Sequence, residues 1–249
     1  MEIINPLHKR YGFQTKGMQV LGYLLTPFFH CKCQIPDDVI AKETPVVFVC
    51  NHYEVFGPVA IVLSLPLKYR LWINSIVLEP RENIEKMIIG TQHIFPFLSD
   101  ESARKLLNCL APAMERVLNR FKSIAVYREH LGKQKRSIEK SVEAMLEGDN
   151  IVLFPETGIP SYSHGRVTEF YRSFVLIGEY YRRKTGKSAS FCPIYVDKKH
   201  RRLRFGELVH YGEEKASVEC ERIVQELRCQ LLSMADEALG SLPRLTEGV

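Results

Sequence analysis

No stretch of this chain is long enough and apolar enough to span a bilayer. A membrane helix takes about 20 consecutive apolar residues, whereas the most apolar stretch, residues 18–29, is shorter and contains Gln19, Gly22 and Pro27. The first residues also lack the basic segment and apolar core of a secretion signal. Residence in the cytoplasm is therefore the default expectation.

Cysteine is present, but not in the pattern of a disulfide framework or a metal site. The seven cysteines are odd in number and form no Cys-x-x-Cys pair. Cys31 and Cys33 are the one close pair, and they alternate as residues of a strand do. This distribution favours small buried apolar side chains over disulfides or ligands, so no metal site is predicted.

Three common enzyme motifs are missing from the chain. It has no Gly-x-Ser-x-Gly elbow, no phosphate-binding P-loop and no Gly-x-Gly-x-x-Gly turn. Each of these motifs supplies a nucleophile or a glycine-rich cradle that its chemistry needs. Their absence argues against a serine hydrolase, a P-loop NTPase and a dinucleotide-dependent enzyme.

Positive charge is in slight excess and is clustered. The chain has 34 basic and 29 acidic residues, a net charge of +5. Basic residues concentrate at 133–136, 182–187 and 198–204. Such clusters suit an anionic membrane surface, a phosphorylated substrate or nucleic acid, although each is equally typical of a solvated turn. The absence of aromatic side chains within the clusters argues against nucleic acid as a partner.

Strands that alternate with helices predict an α/β fold with a mixed, partly parallel central sheet flanked by helices. The expected division is an N-terminal helical arm, residues 1–30, and a single α/β domain, residues 31–249. The predicted strands are 31–35, 45–50, 71–78, 123–127, 150–154, 189–196 and 202–205. The predicted helices are 6–29, one opening near 55, 101–121 with a kink or break at Pro112, 137–148, 170–186 and one around 223–231.

Polar groups follow directly after two of the buried strands. The strand at 45–50 runs into Asn51, His52 and, two residues later, Glu54, and the strand at 150–154 runs through a Pro into Glu156 and Thr157. The carboxyl ends of neighbouring parallel strands are a usual place for α/β active sites. The two strand ends together therefore indicate a candidate site.

His52 is the candidate general base of that site. An imidazole has an unperturbed pKa of about 6.5, which suits proton transfer at neutral pH. A carboxylate that orients the ring improves such a base. Glu54 is the acidic residue nearest in sequence, and Glu156 is the alternative if the fold brings it close in space.

In order along the chain, the motifs resemble those of the glycerolipid acyltransferase superfamily, typified by bacterial lysophosphatidic acid acyltransferases. The resemblance covers about residues 45–210. Its blocks are Asn51-His52, the apolar strand that ends at Arg128, Phe154-Pro155-Glu156, and Cys192-Pro193-Ile194, with Arg204-Phe205-Gly206-Glu207 similar to a later turn.

The resemblance implies a function for the chain. Members of the family transfer a fatty acyl group from acyl-CoA or acyl carrier protein to a lysolipid hydroxyl, which implies His52 as the base and no other cofactor. It also implies a protein of phospholipid biosynthesis, peripheral on the cytoplasmic face of the membrane. The implied acceptor-binding residues are Asn51, Arg128, Glu156, Thr157 and Gly158.

The sequence departs from the family pattern at three of these blocks. Gly57 stands where the family has the Asp that pairs with the His, and Ile159 stands where the third block has an Arg. Thr157-Gly158 reverses the family's Gly-Thr order, and Lys122 replaces a Gly. The acceptor therefore need not be lysophosphatidic acid, and Arg166 is a possible substitute for the absent Arg.

Three explanations of the absent Asp remain open. Glu54 supplies the carboxylate, as we expect, or His52 acts without a partner. In the third, the chain is a catalytically inactive member of the fold that binds lipid or membrane.

Overall fold

The computed structural model of the protein describes residues 15–53, 55–79, 83–85, 88, 99–127, 131–157 and 167–240. The bounded helices are α1 (Lys16–Phe29), α2 (Asp37–Ile40), α3 (Phe56–Ser64), α4 (Ser75–Leu78), α5 (Asp100–Arg120), α6 (Leu131–Leu146), α7 (Leu176–Thr185) and α8 (Ala216–Leu239). The strands are β1 (Lys32–Cys33), β2 (Val46–Cys50), β3 (Tyr69–Asn74), β4 (Ile124–Val126), β5 (Asn150–Leu153), β6 (Ser190–Asp197), β7 (Arg202–Phe205) and β8 (Val209–His210).

The strands form one mixed, mostly parallel sheet, which confirms the predicted α/β class. Their order is β1-β7-β6-β2-β5-β3-β4, with β8 also paired to β6. β7 and β8 run antiparallel to β6, whereas β2 is parallel to both of its neighbours, β5 and β6. Parallel neighbours place their carboxyl ends at one edge of the sheet, so this order puts the end of β2 at the centre of that edge.

Alternation along the central strands explains why the sheet is buried on both faces. In β2, Val47 and Val49 face the layer of α6, α7 and α8, while Val46, Phe48 and Cys50 face α2 and α3. All five side chains are buried. Fully burying a Val or Phe side chain contributes about 1.5–3 kcal/mol. An uninterrupted apolar run is therefore what a central parallel strand requires.

Several predicted elements differ from the observed ones. The strand expected over 71–78 ends at Asn74, because the Asn74 side chain accepts the Ile76 N–H at 3.0 Å and so caps α4. Helix α5 continues through Pro112, so the predicted break does not occur, while the predicted kink stays a prediction. The helix expected from Ser137 begins already at Leu131.

Helix α1 lies at the amino-terminal side of the described chain. It packs its Met18 face on α3 and α5 through Leu63 and Phe121. No helix of the described residues is long and apolar enough to cross a membrane. The division of the chain at residue 30 stays a prediction.

Candidate active site

The two candidate segments meet at the carboxyl edge of the sheet. Val49 pairs with Leu153 of β5 and Cys50 pairs with Ile194 of β6. The residues that follow β2 and β5 therefore emerge side by side. This confirms that the two strand ends lie together, as the two buried strands predict.

Asn51 ties the end of β2 to β6. Its side chain is buried, and its Oδ1 accepts the Val196 N–H at 2.6 Å. Within the described part of the chain, its Nδ2 has no hydrogen-bond partner. Asn51 thus continues the attachment of β2 to β6 past the last strand residue.

Glu156 ties the same segment to the β5 side. Its Oε2 accepts the His52 N–H at 2.8 Å, and its Oε1 accepts the Thr168 N–H at 3.3 Å. The residue is only 3% exposed. Glu156 also forms an isolated antiparallel bridge with Phe170, so the returning chain is fixed beside it. One carboxylate therefore joins the segment after β5 to the segment after β2, 104 residues away, and to the returning chain at Thr168.

Burial raises the pKa of Glu156 above its ordinary value of 4.5, and its two main-chain hydrogen bonds oppose this rise. Its charge also helps raise the pKa of the Cys50 thiol and of the Tyr195 hydroxyl, although burial is the main cause for both. Those two groups titrate far above the range of a carboxyl, Tyr195 at about 12.

The raised pKa of Glu156 gives a pH dependence with a definite sign. Just above pH 4.5 the folded protein holds a proton that the unfolded chain has released, so the contribution of Glu156 to stability falls as pH rises through its folded pKa. The free energy of unfolding of wild type minus that of Glu156→Gln should therefore decrease as pH rises over that range. Urea titrations at several pH values measure this difference.

The exposed Glu169 provides the control for this experiment. It sits in the returning segment and pairs with Arg228 at 2.8 Å across the surface. Glu169→Gln removes a carboxyl that is 73% exposed, and its difference from wild type is measured over the same pH range. A difference for Glu156→Gln that does not fall as pH rises would contradict the raised pKa.

The chain turns sharply after His52. Tyr53 has a φ of 37°, in the left-handed region that costs about 1–2 kcal/mol for a residue with a Cβ. The His52 ring lies edge-on to the Phe154 ring with centroids 5.3 Å apart. The first turn of α3 follows at once, and the Gly57 N–H is donated to the Tyr53 carbonyl at 3.3 Å.

Gly57 fills the position where the resembled family has its Asp, and no side chain fits there. A Cβ built at Gly57 would lie 2.1 Å from the carbonyl oxygen of His52 and 3.0 Å from that of Asn51. Both are main-chain atoms, so neither can rotate away. The tight turn after His52 therefore accounts for the absence of a side chain, and so of the Asp, at position 57.

Of the other predicted site residues, the structure describes Thr157 but not Glu54, Arg128 or Gly158. Thr157 is exposed at this edge, and its N–H and hydroxyl both donate to the Glu169 carbonyl, at 2.8 and 3.1 Å. Glu54, Arg128 and Gly158 lie outside the described residues, so their roles stay predictions. Sequence reasoning missed the Thr168 N–H as a partner of the site, because a main-chain donor leaves no signal in residue type.

A small cavity opens beside the site. Its volume is about 60 Å³, and it lies between the ends of β3, β4 and β5 and helix α6. Phe154 and Pro155 line it on the site's side, and Trp72, Asn74 and Tyr171 line it elsewhere. Because Phe154 also contacts the His52 ring, the cavity and the histidine share a wall.

The basic turn after β6 lies on the opposite side of His52. Lys198 Nζ stands 5.1 Å from the ring centroid of Tyr53 and 5.4 Å from that of Phe56. Asp197, which precedes it, is buried and already bonded to His200 and Arg204. Among the described residues, no group of three His, Cys, Asp or Glu side chains is placed to hold a metal ion.

Comparison with known proteins extends the resemblance to the fold. No protein-family model matches the chain, and no curated protein matches it. The structure is similar to the crystal structure of the 1-acyl-sn-glycerophosphate (LPA) acyltransferase PlsC from Thermotoga maritima, with a TM-score of 0.51 and 15% sequence identity. The match covers 96% of this chain and 80% of that one. The chain thus has a fold like that of a lysophosphatidic acid acyltransferase.

Proposed function

We propose that the protein transfers a fatty acyl group from acyl-CoA or acyl carrier protein to a hydroxyl of a lysolipid or related glycerolipid. The observation that supports this most is the joining of Asn51-His52 and Pro155-Glu156 at one sheet edge by the 2.8 Å bond between His52 N–H and Glu156. That edge belongs to a fold like that of an LPA acyltransferase.

In this proposal His52 is the general base. Its imidazole takes the proton of the acceptor hydroxyl as the oxygen attacks the thioester carbonyl carbon. The C–O bond forms, the C–S bond breaks, and the imidazolium returns the proton to the departing thiolate. A positioned base of this kind contributes about 10²–10⁴-fold to rate.

The remaining predicted residues take the roles that the family resemblance implies. Glu54 orients the imidazole, while Asn51, Arg128, Thr157 and Gly158 bind the acceptor headgroup. Acyl transfer from a thioester needs an oriented base and donors for the oxyanion. The acceptor carries a lysolipid hydroxyl, and its headgroup need not be a phosphate monoester, since Ile159 replaces the basic residue of the third block.

Acyl transfer is tested by incubating purified protein with acyl-CoA or acyl carrier protein that carries a radiolabelled chain. The acceptors are lysophosphatidic acid, a zwitterionic lysolipid and a neutral monoacylglycerol. We expect label in the diacyl product of at least one acceptor. Label that stays in the thioester or appears only as free fatty acid would contradict the proposal.

A second function has one observation in its favour. Because no side chain fits at Gly57, the usual His-Asp pair cannot form, and the protein would then bind lipid without turnover. Liposome flotation combined with the transfer assay separates the two functions: binding without product supports the second.

The exposed face of α1 supports membrane docking. Tyr23, Leu24 and Phe28 are 60%, 65% and 68% exposed on this helix, beside the exposed Val20 and Leu21. Arg201 of the basic turn donates to the carbonyls of Pro27 and Phe28 at the end of α1, which places a cation next to the apolar face. We propose that this surface rests on an anionic lipid bilayer at the cytoplasmic face.

Removing two side chains tests the docking surface. Leu24→Ser with Phe28→Ser should weaken flotation with anionic vesicles by more than about tenfold, because each apolar side chain contributes roughly 1.5–3 kcal/mol when buried. Transfer to a micellar acceptor should be unchanged. Leu146→Ser with Val218→Ser removes two exposed apolar residues on other helices and should float normally; equal loss in both double variants would contradict docking through α1.

A further inference from the structure

Glu156 stands out among the site residues because its carboxylate is already engaged by the protein. Each of its oxygens accepts a main-chain N–H, one from His52 and one from Thr168, and the residue is almost fully buried. A group that binds a headgroup would be expected to have an oxygen directed at open space. This carboxylate instead faces two chain segments.

The segment after β2, which Glu156 binds, has a backbone conformation that requires stabilising contacts. His52 follows directly after the last strand residue, and Tyr53 adopts the left-handed conformation. Left-handed residues of this kind persist only where the surroundings fix them. Asn51 supplies one anchor, to Val196 of β6, and Glu156 supplies the other, to the β5 side.

The usual anchor of the imidazole in the resembled family is absent here. Gly57 has no room for a side chain, since a Cβ would meet the His52 carbonyl oxygen at 2.1 Å. The main chain of His52 is thus enclosed from two directions, by Gly57 at its C=O and by Glu156 at its N–H.

We propose that Glu156 is a positioning residue, which fixes the imidazole of His52 through the His52 main chain and leaves headgroup binding to other groups. This inference rests on the proposed function, because it concerns the placement of the general base. Loss of the bond would let the imidazole shift from its position. A misplacement of about 1 Å costs on the order of 10²-fold in rate.

Kinetics distinguish positioning from headgroup binding. Glu156→Gln keeps the shape of the side chain but offers one oxygen to two N–H donors, so kcat should fall roughly 10- to 100-fold while KM for the acceptor changes little. Glu156→Asp keeps the charge but shortens the reach, and kcat should be partly retained. Glu169→Gln is the matched control in the same loop and should behave as wild type. A raised KM with unchanged kcat would overturn the proposal in favour of headgroup binding.

A spectroscopic reading separates this inference from the proposed function. The His52 amide proton donates to a carboxylate in wild type, so its NMR signal should lie downfield and should move upfield in Glu156→Gln but not in Glu169→Gln. If wild type makes no acylated lipid but the His52 amide signal moves as expected, the proposed acyl transfer is wrong while the contact between His52 and Glu156 is supported. If wild type is active and Glu156→Gln alters neither the signal nor kcat, the positioning role is wrong.

The measurement remains decisive if Glu156→Gln does not fold. In wild-type protein the His52 amide signal should then follow the ionisation of the Glu156 carboxyl, monitored through its own ¹³C resonance. Titration of that carboxyl with no accompanying movement of the His52 amide would overturn the proposal.

Discussion

His52→Ala is expected to abolish acyl transfer while leaving the protein folded. The substitution removes the imidazole that accepts the hydroxyl proton, and loss of a general base lowers rate by about 10²–10⁴-fold. The main-chain N–H that Glu156 accepts is retained, so the loop keeps its anchor. The measurement is kcat with the best acceptor, together with the urea midpoint of unfolding.

His210→Ala is the matched control for His52→Ala. His210 lies in β8 beside Ser190, at the amino end of β6 and so at the opposite edge of the sheet. It should retain wild-type kcat. Retention of most activity in His52→Ala would remove His52 from the mechanism, and equal losses in both variants would point to a general loss of structure.

Gly57→Ala is expected to lower both the stability and the rate by far more than the addition of one methyl group suggests. The added Cβ would stand 2.1 Å from the His52 carbonyl oxygen, so the turn that carries the histidine must move. Overpacking of this kind costs about 1–3 kcal/mol or more, and displacement of the base by about 1 Å costs on the order of 10²-fold in rate. Both the urea midpoint and kcat should fall.

Two further variants sharpen the test of Gly57. Gly132→Ala adds a Cβ in α6 with nothing within 4 Å and should be neutral or stabilising by up to about 1 kcal/mol. Gly57→Asp installs the family's carboxylate and should be as damaging as Gly57→Ala. A more active, normally stable Gly57→Asp would show that the turn accommodates a His-Asp pair.

The sheet and the location of the site could be predicted from sequence because both depend on local patterns. Continuous apolar runs such as 45–50 and 150–154 identify central parallel strands, and polar residues at their ends then meet at one edge. The prediction failed at residues 75–78, where Ile76, Val77 and Leu78 have the composition of a strand but Asn74 caps a helix.

The chemistry around His52 depends on contacts that no local pattern encodes. Glu156 and His52 are 104 residues apart, and the donor is a main-chain N–H, which every residue except proline carries. The exclusion of a side chain at Gly57 likewise comes from a close approach of the His52 carbonyl, in a turn that contains the left-handed Tyr53. From sequence the glycine reads only as a missing Asp, whereas the fold shows that the position excludes any side chain.

The proposed reaction has a stoichiometry that can be measured directly. Wild-type protein is mixed with acyl-CoA or acyl carrier protein and each lysolipid in turn, and free thiol and ester product are quantified together. Acyl transfer predicts thiol release that requires the lysolipid and equals the ester formed, mole for mole. Thiol release that is the same with and without a lysolipid would contradict acyl transfer. So would the absence of thiol release with every lysolipid, provided that the protein is folded and still binds vesicles.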